Sequence, residues 1–151
     1  MKIKNITAIL LTFSLLLAPI SVAKAGEVPT PGSKPLSEIL KTVEEMNIGV
    51  ITEAEFDDGI WEMKVCDAGT CQKLYIAPES GKETRRRKTE AGEIPPPSAL
   101  PLSTVIRSVE ASVPGIIKEV EFEDGFWEVE LRKDGQKIKL TIDPGTGEAR
   151  R

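Results

Sequence analysis

An internal repeat constrains this chain more than any other sequence feature. Residues 119–142 alternate apolar and polar with period two, and Asp124-Gly125 and Asp134-Gly135 interrupt the run. This pattern is typical of antiparallel hairpins with one buried and one solvated face. An offset of 66 residues, without a gap, finds the pattern again, and a fixed offset of this kind indicates two copies of one unit. The matching residues are Phe56/Phe122, Asp58/Asp124, Gly59/Gly125, Trp61/Trp127, Glu62/Glu128, Leu74/Leu140, Ile76/Ile142, Pro78/Pro144 and Gly81/Gly147.

A predicted amphipathic helix precedes each alternating region. Pro35 and Pro101 suit helix starts, because the N–H that proline lacks would have no partner there. Apolar residues then recur with helical spacing on one face, as Leu36, Ile39, Leu40 and Val43 and as Leu102, Val105, Ile106, Val109 and Val113. The sequence therefore predicts an α+β fold of two tandem repeats, each one helix packed on an antiparallel β-meander of three to four strands.

The first residues are predicted to be a secretory signal peptide. Lys2 and Lys4 precede an apolar run over residues 6–19, and Ala23-Lys24-Ala25 fits a small-x-small cleavage pattern. The run is shorter than the roughly 20 residues that a membrane span needs. We therefore expect export to the periplasm or medium, cleavage before Gly26, and no membrane span afterwards.

The mature chain divides into four further predicted segments. Pro95–Pro97 favour an extended, semi-rigid spacer between the repeats. We therefore expect the repeats to fold separately, with proteolysis cutting within residues 85–100. The predicted order is signal peptide 1–25, flexible leader 26–34, repeat 35–87, Pro-rich linker 88–100 and repeat 101–151.

Composition argues against several functions. The full chain carries a net charge of −4, and loss of three lysines with the signal peptide makes it −7, which suits neither nucleic acid nor an anionic membrane. His is absent from the sequence, which removes imidazole bases, His-containing triads and His-ligated metals. We expect no enzyme, no cofactor and no metal site.

Cys66 and Cys71 flank a predicted four-residue turn. The alternation puts both on the outer sheet face as directly opposed residues, and an exported chain meets an oxidising compartment. A structural disulfide is the favoured interpretation, and a redox or metal-sensing thiol pair is the alternative. The second copy has Arg132 and Lys137 at these positions, so the unit does not need cysteines to fold.

Three further features have two interpretations each. Trp61 and Trp127 are either a ligand-stacking platform or core residues, and the alternation favours the core. Residues 85–88, Arg-Arg-Arg-Lys, are either a docking patch for an acidic partner or a solvated edge strand, which we favour. The glutamates of the outer faces are either a weak cation site or a solvated face with ordinary cross-strand charge pairs, which we again favour.

The closing run of each copy resembles a known family. Residues 140–148, Leu-Thr-Ile-Asp-Pro-Gly-Thr-Gly-Glu, resemble the closing motif of PepSY domains, and residues 74–82 match it more loosely. The resemblance implies small α+β modules in exported or membrane-attached bacterial proteins, without a catalytic signature. Some PepSY domains occur in propeptides of metallopeptidases, with a proposed inhibitory role. No His-Glu-x-x-His motif follows the modules here.

The favoured function is therefore a non-enzymatic periplasmic protein-interaction module that modulates or inhibits a peptidase or an envelope sensor. The partner would be a protein, such as a peptidase or a membrane sensor. The alternative is a periplasmic protein that binds a small ligand or a cation on its acidic faces.

The cysteine interpretation gives a direct test. Alkylation of periplasmic protein before reduction, followed by mass spectrometry, should leave Cys66 and Cys71 unmodified, because the disulfide protects both thiols. The closed loop is short, so its chain-entropy contribution is only about 2 kcal/mol, and reduction should lower the melting temperature without unfolding the second copy. Two alkylated thiols would exclude the disulfide and support the sensor interpretation.

Overall fold

The structure, a computed structural model, describes residues 27–150, and the predicted signal peptide lies outside the described residues. The chain forms two helices and seven strands in the order helix, four strands, helix, three strands. Their bounds are α1 Leu36–Glu45, β1 Val50–Asp57, β2 Ile60–Asp67, β3 Thr70–Ile76, β4 Glu83–Thr89, α2 Leu102–Ser112, β5 Ile116–Glu123, β6 Phe126–Lys133 and β7 Gln136–Ile142.

Four hairpins turn where the sequence predicts, and they join β1 to β2, β2 to β3, β5 to β6 and β6 to β7. Asp58-Gly59 and Asp124-Gly125 have positive φ angles at both residues, and so do Ala68-Gly69 and Asp134-Gly135. This is the conformation of two-residue turns whose twist matches that of paired strands, and Asp-Gly adopts it at little cost. The turns fix the register, so Phe56 pairs with Trp61 and Phe122 with Trp127.

All seven strands belong to one antiparallel sheet with the order β4-β3-β2-β1-β5-β6-β7. The two meanders meet where β1 pairs with β5, through Glu53–Glu121, Ala54–Val120 and Glu55–Glu119. The offset of 66 residues exchanges the first and last of these pairs. The two halves are therefore related by an approximate twofold axis close to Ala54 and Val120.

The core is also shared between the halves. One cluster of buried apolar side chains contains residues of both helices and of six strands, and both Ala54 and Val120 in it are fully buried. The expectation that the repeats fold separately is therefore wrong. It failed because residues 90–101 do not hold the halves apart, and the exposed strand edge that each meander would have is used to join them.

The helices lie side by side and cap one another. The Glu110 carboxylate, near the end of α2, accepts hydrogen bonds from the Ser37 backbone N–H at 3.2 Å and from the Ser37 hydroxyl. The Glu44 carboxylate, near the end of α1, accepts the same two bonds from Ser103, with 3.0 Å to the backbone nitrogen. Pro35 and Pro101 occupy the N-cap positions and have no side-chain group that could accept a hydrogen bond. The swapped glutamates therefore satisfy N–H groups at the helix N-termini that would otherwise have no partner.

The segments before the helices are equivalent as well. Ser33 and Ala99 donate backbone hydrogen bonds to Thr30 and Pro96. Lys34 and Leu100 donate to the carbonyls of Pro78 and Pro144, at 2.9 and 2.8 Å. The residues described from the sequence as leader and linker thus carry the same turn in both halves and attach to their own meander.

The swapped caps predict a matched pair of stability effects. Glu44→Ala and Glu110→Ala should each lower the free energy of unfolding by about 1–2 kcal/mol, because each leaves a helix-terminal N–H and a buried Ser hydroxyl unpaired. Glu45→Ala is the control, since the exposed Glu45 carboxylate forms a surface ion pair with Lys41 at 3.9 Å and caps neither α1 nor α2. Urea unfolding of the full mature chain measures all three. Equal stability of the Glu44 and Glu45 variants would contradict the capping role.

Candidate functional site

The tryptophans belong to the core, as the alternation predicts. Trp61 and Trp127 are each 1% exposed. Each ring packs edge-to-face on the phenylalanine opposite it, with centroids 5.3 Å apart for Phe56–Trp61 and 5.1 Å for Phe122–Trp127. Both indole Nε1 atoms are buried without a hydrogen-bond acceptor among the described residues. A stacking platform open to ligands is therefore ruled out for these rings.

Cys66 and Cys71 form a disulfide across the β2–β3 hairpin, with their Cα atoms 4.1 Å apart. They are directly opposed in the register, on the sheet face away from the helices. Both are nonetheless buried, and Thr52 Oγ1 lies 3.9 Å from Cys66 Sγ. A buried disulfide fits a structural role.

The basic run forms the edge strand β4, as predicted. Arg85 and Arg87 lie on the sheet face away from the helices and are exposed. The Arg85 guanidinium stacks on the Tyr75 ring at 3.9 Å from its centroid, and Tyr75 is buried beneath it. Arg86 pairs with Glu83 on the same strand. The cations thus cover an aromatic ring and protect a sheet edge.

Glutamates dominate the centre of the sheet face away from the helices. We call Glu53, Glu55, Glu119 and Glu121 the acidic seam, because β1 and β5 set them against one another in two like-charged pairs. Burial raises the pKa of Glu55, and the neighbouring Glu119 carboxylate raises it further. Burial likewise raises the pKa of Glu121, followed by repulsion from Glu53.

Lysines beside the seam offset part of this charge. Lys64 Nζ lies 2.7 Å from Glu53, and Lys73 Nζ lies 2.7 Å from Glu62. In the second half, buried Glu130 pairs with Arg132 at 3.0 Å and with Lys137. Of the cross-strand pairs expected at Lys64, Arg132 and Lys139, the one at Lys64 is present, whereas Arg132 pairs with Glu130 on its own strand, β6. Within residues 27–150, no three His, Cys, Asp or Glu side chains are grouped so that they could hold a metal ion.

Two grooves lie at the junction of the halves and are exchanged by the twofold relation. The large groove has a volume of about 530 Å³ and runs between the start of β1 and the segment before α2. It is lined by Glu44, Gly49, Val50, Ile51, residues 94–97, residues 99–102 and Trp127. The small groove has about 170 Å³ and contains the equivalent residues Pro29, Lys34, Pro35, Leu36, Trp61, Glu110, Gly115, Ile116 and Ile117.

Local sequence patterns do not predict the grooves or the swapped caps. The offset of 66 residues does contain the signal, because Ser37 and Glu44 fall on Ser103 and Glu110. The residues before the helices also repeat as Pro-x-Pro-x-x-x-Pro-Leu-Ser, at 29–37 and 95–103. What the sequence lacks is the pairing of β1 with β5, which brings these residues together.

The fold and its repeated halves define a twofold-repeated α+β module. The two halves match the PepSY family described as peptidase propeptide and YPEB domain, over residues 7–87 and again over residues 89–150. The chain therefore belongs to this family, which confirms the resemblance found in the sequence.

Other comparisons add little. No curated protein matches the chain. The crystal structure of a predicted lipoprotein from Clostridium difficile 630 is similar with a TM-score of 0.48 and 11% sequence identity, over 81% of this chain and 93% of that one. In the part of the chain that the structure describes, neither helix is long and apolar enough to cross a membrane.

The acidic seam predicts a stabilising substitution. A carboxyl group whose pKa is raised by folding favours the folded state in its protonated form, so the folded state loses stability as the pH rises through the raised pKa. Glu121→Gln should therefore raise the free energy of unfolding at pH 7 by about 0.2–1 kcal/mol, the usual range for relieving a like-charged cross-strand pair.

The gain should disappear at acid pH. Near pH 4 and below, Glu121 is increasingly protonated in both states, and the difference from wild type should shrink accordingly. Glu79→Gln, in an exposed turn, is the control that should change stability little at either pH. Urea unfolding at the two pH values measures this. A pH-independent gain, or a loss, would show that repulsion at the seam is not the cause.

Proposed function

We propose that this chain is an exported, non-enzymatic module that binds a protein partner, and that the partner is a peptidase or an envelope sensor which it modulates or inhibits. The observation that carries the proposal is membership of a family described as peptidase propeptide and YPEB domain. The absence of His from the sequence argues in the same direction, because it removes most nucleophile-activating arrangements.

The surface suits a protein partner better than an enclosed substrate. Both helices cover the same face of the sheet, and the other face is broad, charged and open. Its basic edge at Arg85 and Arg87 and its acidic seam can orient a partner and increase the rate of encounter. The disulfide and the predicted signal peptide support a periplasmic or secreted location.

The proposal includes the segment boundaries taken from the sequence. Residues 1–25 are removed on export, residues 35–87 and 101–151 are the two repeats, and residues 26–34 and 88–100 precede them, with Lys88 and Thr89 completing β4. The equivalent turns at residues 30–33 and 96–99 support one role for both preceding segments, which is to attach each helix to its meander.

A capture experiment tests the proposal. Mature chain carrying a photo-crosslinker at Arg85, in the basic edge, should capture one envelope protein that is also recovered by an unmodified tagged chain. The same chain with the crosslinker at Glu79, in an exposed turn, is the control. If purified partner is a peptidase, its activity should change on addition of the chain. If the crosslinker at Arg85 recovers no protein beyond those that the Glu79 control recovers, the proposal is contradicted.

The second candidate function is cation or small-ligand binding on the acidic seam. The raised pKa values of Glu55 and Glu121 favour it, because a bound cation would relieve the repulsion that contributes to them. A thermal-shift panel of cations tests it. Stabilisation that Glu121→Gln abolishes would support this candidate, and no shift with any cation would exclude it.

A further inference from the structure

The large groove is the main apolar concavity open to solvent among the described residues. Three large apolar side chains are strongly exposed in residues 27–150: Val50 at 47%, Ile94 at 47% and Ile116 at 45%. Val50 and Ile94 both line the large groove, and Ile116 lines the small groove at the position equivalent to Val50. Exposed apolar side chains around a concavity are typical of a binding site.

The walls of the large groove are held in place. Pro95 is buried, and the Ala99 and Leu100 N–H groups are bonded to the Pro96 and Pro144 carbonyls. On the other side, Gly49 packs so closely on β2 that a Cβ at this position would lie 2.5 Å from the Cys66 carbonyl oxygen. The groove is therefore preformed, which lowers the entropy cost of binding.

The lining of the groove carries charge of one sign. Glu44 is the one ionisable side chain in its lining, and no Lys or Arg lines it in the part of the chain that the structure describes. Exposed Asp67 lies beside Gly49, and exposed Glu93 precedes Ile94 and accepts a hydrogen bond from the Gly125 N–H at 3.4 Å. An apolar floor with acidic groups at the rim complements an aliphatic side chain with cationic neighbours.

The twofold-related small groove is smaller and has a cation in its lining. Its volume is about a third of that of the large groove, and it has Lys34 where the large groove has Leu100. The chain thus contains two equivalent sites, of which the large groove alone has no Lys or Arg among the described residues of its lining.

We propose that the large groove binds an extended peptide segment of a partner protein, through an aliphatic side chain between Val50 and Ile94 and through flanking Lys or Arg residues at the acidic rim. This proposal rests on the proposed function, because it takes the protein partner as given and assigns its binding site to this groove.

Peptide binding tests the groove directly. Three blocked pentapeptides are titrated into the mature chain: a central Leu flanked by lysines, the same Leu flanked by glutamates, and a central Ser flanked by lysines. Calorimetry and amide chemical shifts should show binding of the first peptide alone, with shifts at Val50, Ile94 and Ala99. Val50→Ser and Ile94→Ser should each weaken it about fivefold or more, since each removes apolar contact area.

Ile116→Ser is the matched control and should leave the affinity within twofold, because Ile116 is equally exposed but lies in the small groove. Circular dichroism melting of each variant verifies folding. Equal binding by the Val50 and Ile116 variants, equal binding of the glutamate peptide, or no binding at millimolar peptide would each overturn the proposal. Self-association of the free chain that Val50→Ser abolishes would instead assign the groove to a second copy.

The two proposals fail in different ways. If capture at Arg85 succeeds and Val50→Ser does not affect it, the protein-binding function stands and the groove is not its site. If the lysine-flanked peptide binds but no envelope protein is captured, the groove stands and the proposed function fails.

Discussion

The antiparallel pairing of β1 with β5 is the contact on which the rest of the structure depends. It is short, and only its central pair, Ala54–Val120, is apolar and fully buried. The pairs on either side oppose glutamate to glutamate, which is unfavourable. The junction must therefore be stabilised mainly from the helix face, by the shared core and by the swapped caps. Since Glu44 and Glu110 each cap the helix of the other half, neither half has a complete helix N-terminus by itself.

The sequence predicts each half well, because local patterns determine it. Period-two alternation and the Asp-Gly turns specify the meanders and their register, and the spacing of Leu36, Ile39, Leu40 and Val43 specifies a one-faced helix. The opposed positions of Cys66 and Cys71 follow from the same register. In each case the interacting residues are close in sequence, so the local pattern is enough to predict which residues contact one another.

The joining of the halves could not be predicted in the same way. Residues 53–55 and 119–121 look like the first strand of each meander, with one buried and one solvated face, and nothing local shows that they pair with each other. Three prolines in residues 95–97 favour an extended spacer, yet the structure uses them as one wall of a groove. The identical Ser and Glu residues at the offset of 66 are a visible signal, but their meaning depends on a helix–helix contact that only the joined sheet creates.

The repeat also separates residues that maintain the fold from residues that can serve another purpose. The pairs Pro35/Pro101, Ser37/Ser103 and Glu44/Glu110 keep one residue in both halves and make the same contact twice. Such a contact has to be satisfied on both sides of the twofold axis.

Three differences lie around one end of the sheet. Cys66 and Cys71 replace the charged pair Arg132 and Lys137, and Leu100 replaces Lys34. The disulfide fixes the end of the hairpin whose Cys66 carbonyl contacts Gly49, and Gly49 lines the large groove. The same end therefore has the more rigid wall and the more apolar lining. The twofold-repeated scaffold therefore presents two unequal grooves, and the large one combines a lining without Lys or Arg, within residues 27–150, with a wall beside the disulfide.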